Sequence, residues 1–129
     1  MVAVRENVRL FNRDRLAWAA SLPEDLVIAT DPAWPDGGTF RGRDAAVDFV
    51  GKFEEAWSSI LFEVDEFEET HGRVLTQSHW TVRGTTSGME TELDFSVVWV
   101  LRDTEVAGAH FFLDHGEALA YARENPGQG

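Results

Sequence analysis

The chain is 129 residues long, with 43% hydrophobic and 12% aromatic residues, and 11 Lys and Arg against 23 Asp and Glu leave a net charge of −12. That length suits one core, and the acidic field argues against nucleic acid or an anionic membrane surface as a partner while favouring solubility. Cysteine is absent, so disulfides, thiolate metal sites and cysteine nucleophiles are excluded.

The first eleven residues carry Arg5, Glu6 and Arg9 and no long apolar run, unlike a signal peptide or a membrane span, so the cytoplasm is the expected location. Residues 3–12 are predicted helical, because Val4, Val8 and Phe11 fall on one face. Asp14 is placed to cap a second short helix that holds Leu16, Ala17, Trp18 and Ala20, runs through Leu22 and stops at Pro23. Residues 26–30 form a short apolar strand, and DPAWPDGG at 31–38 is dense in turn formers. The clearest helix spans 44–58, with Ala46, Phe49, Val50, Phe53 and Trp57 along one stripe and Asp48, Lys52, Glu54 and Glu55 opposite.

From Ile60 the period becomes two. Residues 60–69 are an acidic strand, and charge of that kind protects a sheet edge. His71-Gly72 turns the chain into a strand at 73–83, with Val74, Thr76, Ser78, Trp80 and Val82 on one face. After turns at Gly84 and Ser87-Gly88, a long strand at 90–102 places Leu93, Phe95, Val97, Trp99 and Leu101 together. Asp103-Thr104 turns again, and residues 106–113 form a strand that is apolar on both faces. Asp114 with Glu117 reads as a capping box for a last helix through Ala118, Leu119 and Ala122, and residues 125–129 read as a disordered tail after a single domain at 1–124.

Helices before a meander predict an α+β domain, with three N-terminal helices on a curved antiparallel sheet and a short C-terminal helix. Strands of about 10–13 residues exceed the usual length and must coil, so helices across the concave side make a cone with a pocket at its wide end. Five Trp and nine Phe either fill a wide interior or line a cavity. The rings set toward that interior are Trp18, Trp34, Phe53, Trp57, Trp80, Phe95, Trp99 and Phe111. On the last strand Val106 and Phe112 form a second apolar face, which Val98 and Val100 extend; a homodimer through the sheet would cover it.

Six segments, FNRD at 11–14, DPAW at 31–34, FRGRDAAVDF at 40–49, RGTTSG at 83–88, VVWVLRD at 97–103 and LDHGEAL at 113–119, together resemble the SnoaL-like proteins of the nuclear transport factor 2-like superfamily. The resemblance covers roughly residues 8–122 and implies the cone fold. It does not imply one activity, since that superfamily holds isomerases, polyketide cyclases, hydrolases and transport factors. In its ketosteroid isomerase-like members an Asp before Pro abstracts a proton beside a carbonyl, which makes Asp31 the candidate base; Asp before Pro is also a common turn opener. The Tyr and protonated Asp that serve those enzymes as oxyanion donors have no counterpart, since Leu16, Ala17 and Val97 stand at those places and the single tyrosine is Tyr121. Each missing donor costs about 3–4 kcal/mol of barrier. SnoaL-type cyclases use a His and an Asp in the last strand. Here His110 and Asp114 are near, but the family's His position falls on Ala109, and Asp114 is accounted for as a helix cap. His79 sits opposite the apolar face of its strand, and His71, His79, His110 and His115 lack metal-ligand spacing, so neither a metal nor a cofactor is expected. Two readings stand: an isomerase, cyclase or hydratase that uses Asp31 as base, or a non-catalytic module that holds a small apolar molecule or a partner.

Overall fold

The computed structural model describes residues 2–34, 37–103 and 105–126. Among these residues, four helices and six strands follow in the order α1 (Val2–Arg13), α2 (Arg15–Ser21), β1 (Val27–Thr30), β2 (Thr39–Arg41), α3 (Arg43–Ala56), β3 (Trp57–Thr70), β4 (Arg73–Gly84), β5 (Glu90–Arg102), β6 (Glu105–Phe112) and α4 (His115–Glu124). One sheet runs β2-β1-β6-β5-β4-β3. β3 to β6 are the antiparallel meander that the alternating pattern predicts, whereas β1 joins parallel to β6 and makes the sheet mixed. The acidic β3 is an edge strand.

The elements end where local chemistry dictates. Asp14 caps α2, its Oδ1 accepting from Ala17 N at 3.1 Å. His71 and Gly72, with φ of 52° and 73°, form the two-residue turn whose twist suits a hairpin. A Cβ on Gly108 would come within 2.6 Å of Val27 O, so the close approach of β6 to β1 requires glycine there.

Several expectations need correction. The third helix stops at Ala56, and Trp57, extended at φ −126° and ψ 126°, opens β3 directly; an aromatic followed by the alternating run to Phe62 suits a strand better than another turn of helix. β2 occupies what the sequence presents only as the approach to that helix, and it is too short to show a period. Glu117 does not complete a capping box: Asp114 caps through Gly116 N at 3.1 Å, and the Glu117 carboxyl turns to Asp31. Val106 belongs to the inner core, because β5 and β6 shift register at Val100 and Leu101. Asn125, assigned to the tail, bonds back to Tyr121 O and accepts from Arg73 Nε at 2.9 Å, while residues 127–129 of that tail, and Pro35, Asp36 and Thr104 of the expected turns, lie outside the described residues.

The sheet is covered on both sides. α1, α2 and α3 share the large core with the inward faces of β4, β5 and β6, which include Trp80, Phe95, Val97, Trp99 and Phe111. α4 lies on the opposite face, where Ala118 and Ala122 pack on Leu75, Val98 and Phe112. Part of the outer patch that suggested a dimer is thus buried within the chain.

Candidate functional site

Between α1, α2, α3 and the sheet lies a cavity of about 40 Å³. Phe11, Trp18, Phe49, Phe62, Trp80, Trp99 and Phe111 supply its rings, and Leu22, Leu26, Ile28, Val50, Val106 and Ala109 its aliphatic wall. Among the described residues, Asn7 is the sole side chain there that is neither aliphatic nor aromatic. Asn7, Leu22 and Val106 also line an open outer groove of about 460 Å³ with Glu6, Arg9, Arg13 and Glu105, so these three residues form the neck between solvent and interior.

Local sequence explains how the wall is held. The apolar stripe of α1 places Val4, Val8 and Phe11 inward. The Asn12 amide clamps edge strand β3, donating to Phe62 O at 2.7 Å and accepting from Phe62 N at 2.8 Å, which fixes Phe62 against Phe11. The Arg15 guanidinium lies 3.7 Å above the Phe11 ring, and its charged form is disfavoured by burial and supported by Glu54 at 3.3 Å. Trp99 donates to Thr76 Oγ1 at 2.9 Å, and Trp18 to Asn7 Oδ1 at 3.2 Å. The indole N–H groups of Trp34 and Trp80 are buried and have no acceptor among the described residues.

Of the rings expected to face the interior, Trp18, Trp80, Trp99 and Phe111 line the cavity. Trp34, Phe53 and Phe95 stand behind them, each touching Trp80 at 5.8, 5.4 and 5.3 Å between centroids. Trp57 is partly buried against the same core. Phe11, Phe49 and Phe62 join the lining without having been expected there, although the helical spacing of the first two marks them as inward.

Asp31 stands apart from this cavity. Its backbone N–H bonds to Phe111 O at 2.8 Å, and its Oδ1 accepts from Ala33 N at 2.9 Å, as a turn opener does. The side chain stands on the outer side with His110 and Glu117. Its hydrogen-bonding contact with Glu117, followed by repulsion within the pair, raises the Glu117 carboxyl above the usual range. His110 stacks on Phe112 at 4.3 Å and meets Tyr121 at 4.5 Å; burial lowers its pKa, and Asp31 opposes that. His79 also faces outward, between Asp65 at 2.9 Å and Glu63 at 3.5 Å, and the Asp65 hydrogen bond raises its pKa. Ser96 Oγ lies 2.8 Å from His115 Nδ1 on the same outer side. Among the described residues, no three His, Asp or Glu side chains gather as a metal site would require.

The SnoaL-like domain family matches residues 4–109. The chain belongs to the SnoaL-like family. Solved structures agree on the fold. An NTF2-like protein of unknown function from Burkholderia pseudomallei is 23% identical with a TM-score of 0.74, over 93% of this chain and 94% of that one. TerC, co-crystallized with polyporic acid, is 20% identical with a TM-score of 0.72, over 92% and 93% of the two chains. A putative SnoaL-like polyketide cyclase from Jannaschia is 15% identical with a TM-score of 0.64, over 94% and 91%. No curated protein matches the sequence. In this SnoaL-like chain Leu16 is 85% exposed and Val97 is fully buried, and neither side chain, being hydrocarbon, can donate a hydrogen bond. His110 occupies the outer face and Ala109 the cavity wall, as the closing-strand pattern implies. No helix of the SnoaL-like chain is long and apolar enough to cross a membrane, among the described residues.

Proposed function

We propose that this SnoaL-like chain binds a small apolar molecule in the cavity under α3 and does no chemistry there. One observation carries the reading: among the described residues, rings and aliphatic groups line the space, with a single amide and no titratable side chain. A void of 40 Å³ is smaller than the roughly 150 Å³ that accepts benzene, so binding requires a wall to give. α3 is the wall that gives. It supplies Phe49 and Val50, and its N-cap, Gly42, makes no side-chain capping bond. Access is through the neck at Asn7, Leu22 and Val106. The test uses toluene as probe. Toluene at saturation raises the melting temperature of the wild type, and Ala109→Val, which fills the void, removes most of that rise. No rise in the wild type, or an equal rise in both proteins, overturns the reading.

A second reading keeps Asp31 as a proton-transfer base, supported by its neighbours Glu117 and His110, whose pKa values are displaced in opposite directions. On that reading the substrate would lie against α4. Asp31→Asn would abolish turnover of an enolisable ketone and leave toluene binding unchanged. Identical turnover in wild type and variant would discard it.

A further inference from the structure

The neighbouring indoles of the core differ in one respect that bears on the ligand. Trp18 and Trp99 each have an acceptor, Asn7 Oδ1 and Thr76 Oγ1. Trp80 is 4% exposed and part of the cavity wall, and its buried N–H has no acceptor among the described residues. A buried donor without an acceptor is costly, and the large majority of such groups in folded proteins are satisfied. Trp34, Phe53 and Phe95 meet Trp80 edge-on while Phe11 stacks on it at 6.5 Å, and a ring face returns to an N–H only a part of what an oxygen does. Trp34 also has a buried N–H without an acceptor among the described residues, but it stands behind Trp80 and not on the wall. Among the described residues, the lining has no cation for an anionic ligand and no carboxylate for a cationic one. The amide oxygen of Asn7 already accepts from Trp18.

We infer that the ligand is a neutral, compact hydrocarbon skeleton bearing a hydrogen-bond acceptor, of which a ketone oxygen is the simplest, and that this oxygen takes the Trp80 Nε1–H. The inference rests on the cavity being the binding site. A ligand donor would find few acceptors on this wall, so ketones and ethers are favoured over alcohols and acids of the same shape.

The experiment compares acetophenone with α-methylstyrene, which has the same outline with CH₂ in place of oxygen. Each is titrated by calorimetry into the wild type, Trp80→Phe and Trp34→Phe. Trp80→Phe weakens acetophenone by about fivefold, the worth of one neutral hydrogen bond, and leaves α-methylstyrene within a factor of about two. Trp34→Phe changes neither. A ratio of the two affinities that is the same in wild type and Trp80→Phe, or one that shifts only in Trp34→Phe, overturns the inference while the cavity stands. Failure of both probes to bind the wild type overturns the cavity reading itself, and this inference with it. A wild-type measurement covers the case in which Trp80→Phe does not fold. One indole N–H proton resonance moves downfield with acetophenone and stays in place with α-methylstyrene; identical spectra with the two probes overturn the inference.

Discussion

His79 and His110 stand on the outer side of one sheet, and their surroundings pull their protonation in opposite directions. Asp65 and Glu63 flank the two ring nitrogens of His79, and the folded protein holds its proton above the unfolded value of about 6.5. The stability this contributes is fully present below about pH 6.5 and is lost as pH rises through the raised folded value. His110, half-buried between Phe112 and Tyr121, has a lowered pKa, so its penalty appears as pH falls below about 6.5. The two contributions leave a maximum near pH 6.5. Urea denaturation across pH 5 to 8 checks this: His79→Gln flattens the decline above that maximum, and His110→Gln flattens the rise below it. Unchanged slopes in both variants would show that neither histidine is coupled to folding.

At the scale of elements, α4 is the most sensitive to added volume. Ala118 and Ala122 are fully buried on Leu75, Val98 and Phe112. Ala118→Leu is expected to cost about 1–3 kcal/mol by forcing helix and sheet apart, read as a lower urea midpoint, and to spare toluene binding on the other side of the sheet. This element also shows what the sequence could reveal. Asp114 before a run of helix formers signals a start, and β4 and β5 declare themselves by a period of two, whereas register shifts interrupt the pairing of β3 with β4 and of β5 with β6. The alternation even sets His110 and Ala109 on opposite faces. No period marks β1 as parallel to β6, since pairing between distant segments leaves no local pattern, and three-residue β2 is too short to carry one. At the site, the inward stripes announce Trp80, Trp99 and Phe111. Burial behind another ring distinguishes Trp34 and Phe95 from true lining groups, and that is a tertiary property. Asp31 shows the same limit: its resemblance to a base rests on one dipeptide, whereas its orientation follows from the register of β1 on β6.

At the scale of the whole molecule, charge opposes compactness. The net charge of −12 includes a strip of carboxylates along edge strand β3. Raising sodium chloride from about 0.01 to about 0.5 M shortens the screening length from about 30 Å to under about 10 Å. The urea midpoint is expected to rise, because self-repulsion is removed. A fall would mean that exposed pairs such as Arg102 with Asp25, at 2.7 Å, outweigh it. The parallel seam has a consequence for synthesis. Val27 finds its partner Gly108 about 80 residues further along the chain. While the ribosome is still extending the meander, β1 and the helices before it have no sheet to close on. The interior beneath α1, α2 and α3 is sealed only when the final strand leaves the exit tunnel, so until that moment the aromatic face of the nascent chain is open to chaperones.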